Sequence, residues 1–410
     1  MCDIPHIYAL QKTLAIARTS AALDSVVEVT IGENRRARTG PRMVSDIPFL
    51  LHPAILVLVN AIPAMRQLHT VHLDHVVLPR VYLYTILSSP HLIHLTLHAV
   101  KMPTLSKFPL TKLRKLTLTD MTSWDAVEPL ISQLSISLEY LEVRWYNCRD
   151  LRSPQLPPLP FLRELRHYYH VGGYIAMDLS ALLRLGPHIS HLHLSGNLYR
   201  IGAAPFPKSL RHLFVDEDLF MESIFGTDPL PWLISLNIRG WQRWLGFGHC
   251  LTLISFVRDR FPRITSLHFT IPWGLRDYAL VMARSLHSVQ ALNLVIDATS
   301  GLDWPMLVPG SGYAEEVPTE YLRGAVLPAA IQYLSLEVVQ ITPSLEHSAA
   351  CCTRWIVNNI LHCVTGLGGP HLKSIDAVFV KHELDSEREQ VLRMRWVKSI
   401  NGGWQTEKYL

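Results

Sequence analysis

The chain has 410 residues, 49% of them apolar and 18% charged, a globular composition that excludes a disordered or fibrous protein. Its 38 lysines and arginines against 34 aspartates and glutamates leave a net charge of +4, with no basic run, and that balance gives no reason to expect nucleic acid as a partner. This length is long for one compact core, so two or three domains or one elongated array are expected.

In chain order, the opening "MCDIPHIYALQKTLAIARTS" carries an early acidic residue and no long apolar core, so it does not read as a signal peptide. Residues 1–25 are expected to form an N-terminal cap, helical over 4–22, or the remnant of a preceding module. The most apolar stretch, "FLLHPAILVLVNAIPAM" at 49–65, is interrupted by His52, Pro53, Asn60 and Pro63. Its clean run is too short to span a bilayer, so a buried helix is expected and no membrane partner. The six cysteines, Cys2, Cys148, Cys250, Cys351, Cys352 and Cys363, make no C-x-x-C pair. They read as reduced, structural thiols of a cytoplasmic or nuclear protein.

One phrase then returns along the chain: an apolar residue, two of any kind, an apolar residue, one of any kind, an apolar residue. It is clear in "VVEVTI" (26–31), "LHTVHL" (68–73), "LIHLTL" (92–97), "LRKLTL" (113–118) and "LEYLEV" (138–143), and imperfect in "LRELRH" (162–167). It continues in "ISHLHL" (189–194), "LRHLFV" (210–215), "LISLNI" (233–238), "ITSLHF" (264–269), "VQALNL" (289–294) and "IQYLSL" (331–336). A degenerate "LKSIDA" (372–377) makes thirteen copies. Between residues 68 and 233 successive copies start 21–27 residues apart, within the roughly 20–29-residue period of leucine-rich repeats. The last two apolar positions lie two apart, on one face of a strand, with the residue between them on the other face. One such strand cannot bury its apolar face alone; stacked copies can.

Helical spacing recurs between the copies, at 79–89, 124–134, 177–185, 250–261, 277–286 and 351–364. Other connections are irregular, as in the proline-rich "SPQLPPLP" at 153–160. The expected fold is α/β: an irregular leucine-rich-repeat solenoid, a horseshoe with a curved parallel sheet and helices or loops on the convex side. It would span 26–380, followed by a C-terminal cap over 381–410. An eight-stranded β/α barrel enzyme is the structural rival, but thirteen copies with short connections do not suit it.

The stretches "SSPHLIHLTLHAV", "TKLRKLTLTDM", "SLEYLEVRWYNC", "PHISHLHLSGN" and "KSLRHLFVDE" resemble the repeats of F-box/leucine-rich-repeat proteins, especially the divergent fungal ones. The resemblance covers about residues 20–380. It implies a substrate receptor of a ubiquitin ligase, joined to a Skp-type adaptor through an N-terminal F-box that often starts near an L-P-x-E phrase. This sequence has no such phrase, and 25 residues precede "VVEVTI". The expectation is therefore a fragment that has lost its F-box or a relative that lacks one. The alternative is a repeat protein unrelated to ubiquitination.

The outward third, fifth and seventh positions hold His72, His94, His98, His191, His193, His212 and His268 among the chain's 21 histidines. A metal site or pH-responsive patch is the sharp reading of them, and polar filler between inward leucines is the plain one, which is preferred. The same face carries Lys115, Glu142, Arg144, Glu164, Arg166, Asp216 and Arg239. Aromatic residues gather past the strand ends, on one rim: Trp145, Tyr146, Tyr168, Tyr169, Trp241, Trp244 and Trp273, and packing against the sheet edge is the preferred reading of them, with anchors for a protein partner as the alternative. Arg144, Trp145, Arg166, Tyr168, Arg239, Trp241 and Trp273 are the expected contacts for a protein partner on the concave face. The insertion at 297–317 breaks the period and is read as a tolerated loop, with a recognition loop as the alternative. "SGN" at 195–197 is read as a turn, and "TGLGGP" at 365–370 as a helix stop. No G-x-S-x-G, H-E-x-x-H or Walker loop is present. The expectation is a non-enzymatic binding protein without a cofactor.

Overall fold

The computed structural model describes residues 23–32, 49–50, 58–74, 76–77, 79–100, 112–121, 124–146, 156–170, 177–196, 199–200, 206–216, 229–239, 255–272, 285–297, 330–340, 371–382, 389–399 and 403–409. The chain divides into two compact units, Met1–Leu210 and Arg211–Leu410.

The first unit holds seven strands in one parallel series: β1 (Glu28–Gly32), β2 (Thr70–Asp74), β3 (His94–His98), β4 (Lys115–Met121), β5 (Tyr140–Tyr146), β6 (Glu164–His170) and β7 (His191–Gly196). The second holds β8 (His212–Asp216), β9 (Ser235–Arg239), β10 (Ser266–Pro272), β11 (Ala291–Asp297), β12 (Tyr333–Gln340) and β13 (Ser374–His382), again parallel. It then turns back in β14 (Glu389–Lys398) and β15 (Trp404–Tyr409), which pair antiparallel. The fold is α/β with a long, mostly parallel sheet. In each unit the strand order is the chain order, and no described pairing joins a first strand to a last. That linear order removes the closed eight-stranded barrel, whose end strands must pair.

All thirteen copies of the phrase become strands, and every one begins at the third residue of its phrase. The alternation carries through to burial. The fourth-position ladder runs Val71, Leu95, Leu116, Leu141, Leu165 and Leu192 in the first unit, all buried. In the second it runs Leu213, Leu236, Leu267, Leu292, Leu334 and Ile375, buried as well. The first residue of the phrase enters the core just before each strand, as Leu92, Leu113, Leu138 and Leu162 do.

The entry to each strand is set by a repeated hydrogen-bond pattern. The carbonyl of a copy's second residue accepts two consecutive amides from the next copy: His69 O from Ile93 and His94, both at 2.9 Å, and Arg114 O from Glu139 and Tyr140 at 2.8 and 3.0 Å. A serine preceding the phrase meets the carbonyl of the previous copy's first residue. Ser137 Oγ donates to Leu113 O at 2.9 Å, Ser209 Oγ to Ile189 O at 2.8 Å and Ser288 Oγ to Ile264 O at 2.7 Å. Ser137→Ala would leave the Leu113 carbonyl without its side-chain donor and is expected to cost about 1 kcal/mol. Denaturant titration checks this; no loss would mean that water replaces the hydroxyl. A methyl group is not tolerated everywhere in these turns. A Cβ at Gly186 would sit 2.6 Å from Cγ1 of the buried Ile189.

Helix α1 (Arg80–Leu87), α2 (Trp124–Gln133) and α3 (Leu179–Leu185) fall inside three of the expected helical stretches. They put Leu83, Ile86, Leu87, Val127, Leu130, Ile131, Leu182 and Leu183 into the core. Residues 255–260 form a further helix within the expected 250–261. The apolar stretch at 49–65 is not one buried helix. Phe49–Leu50 bridges Val76–Val77 as strand, and among the described residues of the stretch only 58–61 are helical, followed by the 3-10 turn Ile62–Ala64. Pro63 lies in the first turn of that 3-10 segment, where its missing amide donor is not needed. Ser195 and Gly196 of "SGN" are strand, not turn: both belong to β7 and Ser195 is buried, while Asn197 lies outside the described residues. The expected N-terminal helix at 4–22, the helices at 277–286 and 351–364 and "TGLGGP" lie outside the described residues, apart from 285–286. The insertion at 297–317 does too, apart from Asp297.

Candidate functional site

The outward face of β5, β6 and β7 gathers a connected set of polar and aromatic side chains. Its strands pair in register, Tyr140 beside Glu164, Glu142 beside Arg166 and Arg144 beside Tyr168, while Arg166 in turn sits beside His193. Side chains opposite one another on adjacent strands are close enough to interact directly.

Glu142 organises the first half of the set. Its Oε2 accepts from the Tyr140 hydroxyl and its Oε1 from Arg144 Nε at 2.6 Å. These partners cover it so well that this outward carboxylate is buried, with 6% of its surface exposed. Burial, together with the hydrogen bond and charge of Glu142, pushes the Tyr140 phenol far above its ordinary value, so it remains a donor. Arg144 sits over the Tyr168 ring, its guanidinium carbon 4.2 Å from the ring centre. Arg166 is held by Glu164, with Nε and Nη2 both 2.7 Å from Oε1, and lies 5.4 Å from the Tyr140 ring centre. The Tyr168 hydroxyl is 3.1 Å from His193 Nδ1, and the two rings are 4.6 Å apart.

Of the seven expected partner contacts, the structure brings Arg144, Arg166 and Tyr168 together on this face. Trp145 is a correction. It was expected on the rim, but β5 runs on to Tyr146, so the alternation turns Trp145 inward. It is 2% exposed, and its indole Nε1 donates to His167 Nε2 at 2.9 Å. His167, the residue that made its copy imperfect, fills an inward position and is fully buried. Burial depresses its pKa to about 3, so it is neutral, with Nε2 as the acceptor. Arg239 ends β9, and its side chain lies outside the described set, as do Trp241 and Trp273 entirely.

Tyr140 was not singled out from sequence. Its place in the third position of a copy was the available signal, but its bond to Glu142 depends on how the side chains turn on the face. The histidines on the neighbouring strands form a second, looser group. His72 Nε2 lies 3.4 Å from Glu28 Oε1, and its ring is edge-on to His94 at 5.8 Å. His98 Nε2 lies 3.6 Å from Asp74 and 3.4 Å from Asp120. Burial, then the charges of His72 and Lys115, lower the pKa of His94. Among the described residues no group of three histidine, cysteine, aspartate or glutamate side chains is arranged to hold a metal ion. Among them, too, no helix is long and apolar enough to cross a membrane.

No family model matches the chain, and no curated protein matches it. Among solved structures, the crystal structure of a protein from Bacteroides fragilis is similar over 64% of this chain, at 14% identity and a TM-score of 0.30. The chain spans 64% of that protein's length.

Proposed function

We propose that the chain is a non-enzymatic protein-binding scaffold whose partner lies across the outward face of β5–β7. The observation that carries this reading is the Tyr140–Glu142–Arg144–Arg166–Tyr168 cluster on an otherwise regular face. Aromatic and arginine side chains dominate binding energies in protein interfaces, and an array of stacked strands offers such residues on a rigid support. The resemblance to F-box/leucine-rich-repeat proteins extends the proposal. The bound protein would be a ubiquitination substrate, and a Skp-type adaptor would be recruited elsewhere on the protein, in the cytoplasm or nucleus.

Affinity capture with the full chain, followed by variants, tests this. Arg166→Ala and Tyr168→Ala are each expected to weaken a genuine partner by about 2 kcal/mol or more. Arg258→Glu, at an exposed position on the helix at 255–260, should leave binding unchanged. The reverse pattern, with Arg258 sensitive and the β6 variants silent, would reject this face. Co-purification of a Skp-type adaptor separates the ubiquitin-ligase reading from a general scaffold.

A further inference from the structure

The arginines of the cluster are not equivalent. Arg166 turns both Nε and Nη2 onto Glu164, so the side-on fork of its guanidinium is occupied. Arg144 spends only Nε, on Glu142, and no described residue hydrogen-bonds to its Nη1 or Nη2. Its side chain is 48% exposed, yet it is held from two sides, by the Glu142 carboxylate at Nε and by the Tyr168 ring. A guanidinium held in this way can offer the paired N–H donors of Nη1 and Nη2 at little further entropic cost, and that fork matches the two oxygens of a carboxylate.

We propose that Arg144 is the anchor for an acidic side chain, aspartate or glutamate, of the protein partner, with Tyr168 and Glu142 as its positioning residues. This rests on the scaffold reading above and specifies its partner's chemistry. The local charge favours a carboxylate over a phosphate. At the third, fifth and seventh positions of β4–β6 the charges are Lys115, Arg144 and Arg166 against Glu142 and Glu164, one positive charge in excess. Asp120, at the eighth position of its copy, is turned to His98. One uncompensated positive charge balances a single carboxylate, whereas a phosphate near two negative charges would leave the face anionic. The carboxylate of Glu142 does not block the approach, because the Tyr140 hydroxyl and Arg144 Nε already share its two oxygens.

The test uses the full chain and four immobilised peptide pools with randomised flanks and a fixed central residue: glutamate, glutamine, lysine or phosphoserine. The glutamate pool should be retained about tenfold better than the glutamine pool, the scale of one charge-assisted hydrogen-bonded contact. Arg144→Gln should abolish that preference, and Arg144→Lys should restore it only partly, because the charge returns without the fork. Tyr168→Leu, which removes the ring but leaves the guanidinium, should reduce it. All variants are read after matching thermal midpoints to the parent. A preference unchanged in Arg144→Gln overturns the assignment. Equal retention of all pools also overturns it while leaving the scaffold reading standing. Stronger retention of phosphoserine than of glutamate overturns the choice of carboxylate. No retention of any pool removes both this inference and the scaffold reading on which it rests.

Discussion

Leu116→Ala and Leu118→Ala are each expected to destabilise the first unit by about 2–5 kcal/mol, while Thr117→Ala between them costs well under half of that. Both leucines are completely buried, on adjacent inward positions of β4 with β3 and β5 on either side. Truncating either removes apolar contact and leaves a cavity that the parallel neighbours cannot close without shifting their own register. Thr117 faces the other way, where its hydroxyl meets His94 Nε2 at 3.3 Å. Losing that contact exposes polar atoms to water instead of opening a void. Denaturant titration of the three variants decides it. Equal losses at all three positions would contradict the alternation on which the whole array depends.

The second large effect is a pH dependence centred on His167. Its pKa is about 3 in the folded chain against an ordinary 6.5. Between these values the unfolded chain binds a proton that the native chain refuses, so stability falls as pH falls below 6.5. The slope is about 1.4 kcal/mol per pH unit, or about 2 kcal/mol in total by about pH 5, and it levels off only near the folded value. His167→Leu restores an aliphatic ladder and removes this titration, although it leaves the buried Trp145 indole without its acceptor. The variant should therefore be less stable than the parent by about 1–3 kcal/mol near neutrality, and the gap should narrow or reverse in acid. Denaturant midpoints of the two proteins, compared across that range, give the answer. A constant gap would mean that His167 takes up a proton in the native state.

His167 also shows where sequence reading stops. A histidine in the sixth position of a copy breaks the apolar phrase, and nothing local explains how the strand keeps its register. The explanation is Trp145, 22 residues away in sequence. Trp145 in turn was misread because the phrase ends at Val143, whereas the strand continues to Tyr146. The period-two rule, extended one more step, would have placed it inside. The same rule missed β14, "EQVLRMRWVK", where exposed Arg393 and Arg395 alternate with Met394 and the buried Trp396. It reads as a strand once looked for, and Arg395 pairs with Asp376 of β13 at 3.2 Å. It lies within the expected C-terminal cap at 381–410 and does not carry the phrase.

What the sequence determined by itself was the placement and facing of thirteen strands. Side-chain alternation is fixed by backbone geometry, so three apolar residues at the right spacing specify both where a strand begins and which face it buries. What only the tertiary structure decided was which outward residues meet. Arg144 and Tyr168 are 24 residues apart, and they touch because β5 and β6 pair without offset. That offset is set by the packing of the inward leucines and the turns between copies, and it is absent from either strand alone. The burial of Glu142 follows in the same way, since its position in the phrase predicts an exposed carboxylate and its neighbours on the assembled face cover it.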